Sequence, residues 1–66
     1  MHIQINGRDT EMPSGVTARG LVERLELSGK RIAMEVNGEI LPRSCYADHL
    51  INDGDKIEII HAVGGG

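Results

Sequence analysis

The 66-residue sequence ends in three consecutive glycines, Gly64, Gly65 and Gly66. Of all residues in the sequence, they are the strongest candidates for a chemical role. Glycine makes up about 7% of average sequence, so three at three given positions have a chance of roughly 3 in 10,000. A segment without side chains can lie extended in a narrow channel with its backbone close to a nucleotide. An incidental frayed terminus or a cloning scar is the alternative interpretation.

The terminal carboxylate of such a segment is a poor electrophile that a partner enzyme can activate. Attack on the α-phosphate of ATP, with Mg²⁺ bound by the partner, would convert it to an acyl adenylate that a sulfur or amine nucleophile can open. We therefore predict that Gly66 is the activated residue and that Gly64 and Gly65 thread the partner's active site.

Other residue types that could do chemistry lack the spacing it requires. The soft metal ligands are His2, His49, His61 and Cys45, and none has a paired metal-binding spacing. Cys45 as a nucleophile would need a histidine brought close by the fold, so a partly buried structural cysteine is the favoured interpretation. Gly15 stands alone, and no glycine-rich phosphate-binding loop opens a helix. We expect no metal and no catalytic site of its own.

Composition narrows the class of partner. Seven Lys and Arg against ten Asp and Glu give a net charge of −3, which argues against binding to a phosphate backbone and suits a partner with a basic surface. Plain solubility is an equally simple explanation of this charge. Tyr46 is the single aromatic residue, so stacking on single-stranded nucleic acid is disfavoured.

The lone cysteine and the absence of long apolar runs predict where the protein works. Cys45 cannot form an internal disulfide, which fits a reducing compartment. The sequence contains no charged-then-apolar leader and no run of about 18 apolar residues, so we expect neither a signal peptide nor a membrane span. These features predict a cytoplasmic protein.

The first third of the sequence predicts a hairpin followed by a helix. Residues 2–6 and 8–12 form the strands, and Asn6-Gly7 suits a type I′ turn because both residues tolerate positive φ. Thr17 is placed as the helix N-cap, with Val16 and Leu21 as a hydrophobic staple. Ser28-Gly29 predicts the end of the helix.

The remaining sequence predicts a second hairpin and a final strand. Alternating apolar residues at 32–36 run into Asn37-Gly38, and Glu39–Leu41 forms an edge strand that Pro42 ends. Residues 43–51 predict an irregular connection with a turn of helix, and 52–55 a sharp turn. Lys56–His61 is the last strand, with Ile57 and Ile59 facing inward and Glu58 and Ile60 outward.

Ile60 points away from the face that the helix covers. A single exposed isoleucine needs no function, but beside an active tail a small apolar patch could dock the activating enzyme. The tentative docking residues are Ile60, His61, Ala62 and Val63.

One helix can cover only one face of a small sheet, so the element order predicts an α+β two-layer domain. The crossover through the helix makes the sheet mixed, with four to five strands, and a β-grasp (ubiquitin-like) fold is the simplest arrangement. Residues 1–63 would form this domain, and 64–66 a flexible C-terminal glycine tail.

A set of segments that runs from one end of the chain to the other carries a family resemblance: the opening strand, Asn6-Gly7, Val16-Thr17, Leu21-Val22, 35–40, Pro42-Arg43, Leu50, 53–55, 57–59 and 62–66. In the order of these segments the chain resembles the sulfur carriers of thiazole synthesis in the thiamine pathway, the ThiS family. Gly20 departs from the resemblance, since such proteins often carry an acidic residue there that completes the helix cap.

The resemblance implies a β-grasp fold and a sulfur-transfer cycle. Gly66 would be adenylated by an ATP-dependent enzyme related to ubiquitin activators, and its carboxylate would become a thiocarboxylate with sulfur from a cysteine-derived persulfide. Thiazole synthase would take that sulfur, and the carrier itself would bind no cofactor. The alternatives are a carrier of the kind found as the small subunit of molybdopterin synthase, a β-grasp protein-interaction module and a ubiquitin-like tag.

Overall fold

The computed structural model describes residues 1–61. The predictions on Ala62, Val63 and the three terminal glycines concern residues outside this range. In chain order the elements are β1 (His2–Ile5), β2 (Arg8–Glu11), α1 (Ala18–Arg24), β3 (Ile32–Val36), β4 (Glu39–Leu41), a 3-10 helix (Arg43–Cys45) and β5 (Lys56–His61).

Within residues 1–61 the strands form one five-stranded sheet in the order β2-β1-β5-β3-β4. β1 and β5 are parallel, whereas the other neighbouring pairs are antiparallel. The sheet is therefore mixed, with α1 packed on one face and β4 at an edge, as predicted. This arrangement confirms the α+β β-grasp fold.

Both Asn-Gly turns have the backbone geometry that their sequence predicts. The φ angles are 52° and 81° at Asn6 and Gly7, and 53° and 84° at Asn37 and Gly38. Positive φ at both central residues is the requirement of a type I′ turn, whose twist matches that of the flanking strands. The two predicted hairpins are confirmed.

Thr17 begins the helix in the predicted way. Its backbone is extended, and its Oγ1 accepts a hydrogen bond of 3.1 Å from the Gly20 N–H. The Val16 and Leu21 side chains that were predicted to form the staple are both buried. The helix then ends at Arg24, four residues before the predicted stop.

Glu26 ends the helix by adopting the left-handed conformation, with φ of 59°. Its N–H donates to the Glu23 carbonyl at 3.0 Å, and the Leu27 N–H donates to the Val22 carbonyl at 2.9 Å. These are the two bonds of a Schellman motif, in which glycine usually takes the left-handed position. The prediction that Ser28-Gly29 ends the helix was therefore wrong, because a glutamate takes the position expected of glycine.

The core lies between α1 and the sheet and is almost wholly aliphatic. Leu21, Met34, Ile51 and Ile57 are the largest fully buried side chains among the described residues. Tyr46, directly after the 3-10 helix, closes one end of this core, which confirms the predicted turn of helix there. The core thus packs against the helix side of β5, which pairs with β1 and β3 in the middle of the sheet.

Candidate functional site: the last strand and its surroundings

The last strand, β5, is central in the sheet, and the asparagines of both hairpin turns hold it. The Asn6 N–H donates to the Ile57 carbonyl at 2.9 Å, and Asn6 Oδ1 accepts from the Ile59 N–H at 2.8 Å. On the other side, the Asn37 N–H donates to the Lys56 carbonyl at 2.8 Å, and Asn37 Oδ1 accepts from the Lys56 N–H at 2.9 Å. Each asparagine therefore binds the backbone of β5 beside the end of its own strand.

Asp55 fixes the turn that leads into β5. Its carboxylate is buried, with Oδ1 accepting from Asn37 Nδ2 at 3.0 Å and Oδ2 from the Asn52 N–H at 2.8 Å. Among the described residues no buried side-chain nitrogen or oxygen lacks a partner. Sequence reasoning predicted turns at both segments but missed the bond between them, because nothing local relates residues 18 positions apart.

Ile60 faces outward from the sheet, as predicted, with half of its surface exposed. Its cross-strand partner is Ala33, whereas His61 pairs with Ile32. Since successive side chains of a strand point to opposite faces, His61 lies on the helix side of the sheet. The structure therefore separates two of the predicted docking residues instead of placing them on one surface.

The open sheet face beside Ile60 is acidic: the sequence predicted that Glu58 faces outward there, but not that Glu35 lies opposite it. Glu35 and Glu58 lie directly opposite each other in the pairing of β3 with β5, and Ile40 lies opposite Glu35 on β4. Like charges in this position destabilise a strand pair. Neither glutamate makes an ion pair within residues 1–61. This face combines carboxylates with exposed apolar side chains and favours a partner with a basic, partly apolar surface.

Cys45 is exposed, so the prediction of a partly buried structural cysteine was wrong. It is the last residue of the 3-10 helix, and the next residue, Tyr46, takes the buried position instead. The described residues contain no group of three or more metal-binding side chains. No helix in residues 1–61 has the length and apolar character needed to cross a bilayer.

A β-grasp domain whose central last strand leads toward a triple-glycine end defines the class of small ubiquitin-like carriers. The family model described as the ThiS family matches residues 3–66. The chain belongs to the ThiS family. This membership confirms the resemblance seen in the sequence and the prediction of a carrier in place of an enzyme.

Relatives and solved structures agree with this assignment. The chain is 32% identical over 66 residues to the sulfur carrier protein ThiS of Escherichia coli, and the match covers the whole of both chains. The crystal structure of the thiamine biosynthesis protein ThiS from Geobacter metallireducens superposes with a TM-score of 0.87 at 26% identity, again over all of both chains.

A further relative is a longer protein. The chain is 39% identical over its full 66 residues to a thiazole synthase of Paramagnetospirillum magneticum, but it spans only about a fifth of that protein's length. In that relative, a sequence similar to this one is therefore part of the same polypeptide as a much larger remainder.

Proposed function

We propose that this chain carries sulfur on the carboxylate of Gly66 for thiazole formation in thiamine biosynthesis. The observation that carries the proposal is the family match, which runs from residue 3 through the terminal glycines to residue 66. It also favours thiazole synthesis over the molybdopterin-type alternative. Because residues 62–66 lie outside the described range, the role of the glycines rests on sequence and family.

The chemistry divides between the carrier and its partners. A carboxylate oxygen of Gly66 attacks the α-phosphorus of ATP on an adenylating enzyme with Mg²⁺, and pyrophosphate leaves. The terminal sulfur of a protein persulfide then displaces AMP, and a thiol releases the thiocarboxylate by exchange at the sulfur–sulfur bond. A reducing cytoplasm supplies the thiols that this step needs. The carrier contributes no catalytic side chain and no bound cofactor.

The fold serves to present the C-terminal segment to these partners. The core and the two turn asparagines hold β5 rigidly. Gly64 and Gly65, having no side chains, would enter a partner's narrow channel. Thiazole synthase is the proposed acceptor, and the relative that contains a similar sequence within a thiazole synthase supports this pairing.

The activating enzyme docks on the open sheet face around Ile60. Half-exposed Ile60 would provide the apolar contact, and Glu35 and Glu58 beside it would meet basic side chains of the enzyme. Ala62 and Val63 would extend the contact toward the glycines. His61, which lies on the helix side of the sheet, would take no part in this contact.

Intact mass spectrometry tests the carrier function. The protein is incubated with its adenylating enzyme, ATP, Mg²⁺ and a persulfide sulfur donor, and we expect a mass change equal to exchange of one oxygen for one sulfur. A variant that lacks Gly66 is the matched control, since it keeps all described residues and should keep its mass. The positive control is a second carrier protein that the same enzyme preparation converts. If that control is converted and the mass of the full chain does not change, the proposal is refuted.

A further inference from the structure

A groove of about 430 Å³ opens beside the helix, on the opposite side of the sheet from Ile60. It lies between α1, the segment after α1 and the 3-10 helix. Its floor is apolar and includes Val22, Ile32 and Tyr46, whose side chains belong to the core. Its rim carries three cationic residues, Arg19, Lys30 and Arg43.

The charge of this rim opposes that of the whole chain. The net charge is −3, yet three of the seven Lys and Arg residues line the groove, against Glu23 as the one acidic residue in its described lining. Glu23 pairs with Arg19 at 3.8 Å on an exposed helix face, where such pairs contribute little. Lys30 makes no ion pair within residues 1–61. The rim therefore carries net positive charge.

Arg43 connects the groove with the strand that lies beside β5. Its Nη2 donates to the Ile32 carbonyl at 3.3 Å, which places the guanidinium at the start of β3. Ile32 pairs with His61, the last described residue of β5. The groove therefore lies at the same end of the sheet from which the chain continues toward its C-terminus.

We propose that this groove binds an extended acidic segment of a partner protein. An apolar side chain of that segment lies on the floor against Val22 and Tyr46, and its carboxylates contact the cationic rim. The apolar floor and open shape suit a peptide better than a bare anion, and the negative net charge disfavours nucleic acid. This inference goes beyond the proposed function, because a protein bound in the groove leaves the sheet face around Ile60 free for a second partner.

Nuclear magnetic resonance titration of the full chain with a synthetic peptide tests the proposal. The probe is an acetylated hexapeptide of five acidic residues around one leucine, and its matched control replaces the leucine with alanine. We expect amide shifts at Leu27, Lys30 and Ile32 but not at Glu58, and weaker binding of the alanine peptide. Shifts centred on the open sheet face, or none, would overturn the proposal.

Two variants with the same change in charge separate the groove from long-range attraction. Lys30→Glu should weaken peptide binding about fivefold or more, whereas Lys56→Glu on the open face should change it less than about twofold. Equal losses in both variants would overturn the proposal. Two controls without peptide could also overturn the proposal. Amide shifts of the groove residues that grow with protein concentration would show that a second copy of the chain binds there. Amide shifts of the same residues on deletion of 62–66 would show that the chain's own terminus binds there. The titration needs no adenylating enzyme, so its outcome is independent of sulfur transfer.

Discussion

At the scale of single residues, Glu26 shows that a residue other than glycine can take the left-handed position that ends a helix. A left-handed backbone costs a residue with a Cβ atom roughly 1–2 kcal/mol, which glycine avoids. The two Schellman hydrogen bonds and the packing of Leu27 against the core offset this cost at Glu26. Its negative charge also lies at the helix C-terminus, where the helix dipole disfavours an anion.

Glu26→Gly should raise the free energy of unfolding by about 1 kcal/mol, because glycine removes the left-handed strain and the unfavourable charge. Arg24→Gly in the last turn of the helix is the control and should lower it by about 1 kcal/mol. Each variant adds one glycine, so the extra conformational entropy of the unfolded chain is the same in both and cancels when they are compared. Urea unfolding measures the difference, and destabilisation of both variants alike would contradict the structural explanation.

At the scale of elements, the position of β5 depends on turn residues that are distant in sequence. Asn37 adopts positive φ in its own hairpin, accepts from the backbone of Lys56 and donates to Asp55. Asn6 makes one comparable side-chain bond, to Ile59. The two asparagines thus combine the local geometry of a turn with a long-range contact to β5.

Asn37→Gly keeps the turn geometry and removes both side-chain bonds, so it should lower the free energy of unfolding by about 2 kcal/mol. Asn6→Gly removes one bond and should lower it by about 1 kcal/mol. Chemical denaturation of the two variants gives the ranking directly. Equal effects, or none from Asn37→Gly, would show that the bonds to β5 and Asp55 do not stabilise the fold.

At the scale of the whole molecule, the sheet separates two surfaces of different character. The open face carries Ile60 and the opposed Glu35 and Glu58, whereas the helix side carries the groove with its cationic rim. Both surfaces adjoin β5 or the strand paired with it. A small carrier can thereby contact chemically different partners without changing its fold.

Ile60→Asp should lower kcat/KM for adenylation about tenfold, since it places a carboxylate in the proposed apolar contact. Leu50→Asp is the matched control, because Leu50 is equally exposed, at 50%, but lies in the loop that bridges to Thr17. We expect the control to leave adenylation unchanged, and circular dichroism would verify that both variants fold. A similar loss in both variants, or no loss in either, would exclude docking through Ile60.

Short-range patterns in the sequence were sufficient for much of the fold. Strand alternation, the two Asn-Gly turns and the Thr17 cap each depend on neighbouring residues, and their predictions are confirmed. The exception is the end of the helix, since Glu26 is stable in the left-handed region only through the packing of the turn around it. The exposed Cys45 was missed for a related reason, because burial of Tyr46 determines which way its neighbour points.

The sequence by itself determined the class of fold, the outward position of Ile60 and the candidate role of the terminal glycines, because composition and periodicity express these directly. Only the tertiary structure decided which distant residues meet: Asn37 with Asp55, Glu35 with Glu58, and the cations around the groove. These contacts depend on strand register and on the packing of the helix. The register between strands distant in sequence and the packing of the helix follow from the free energy of the whole chain and leave no local signal in the sequence.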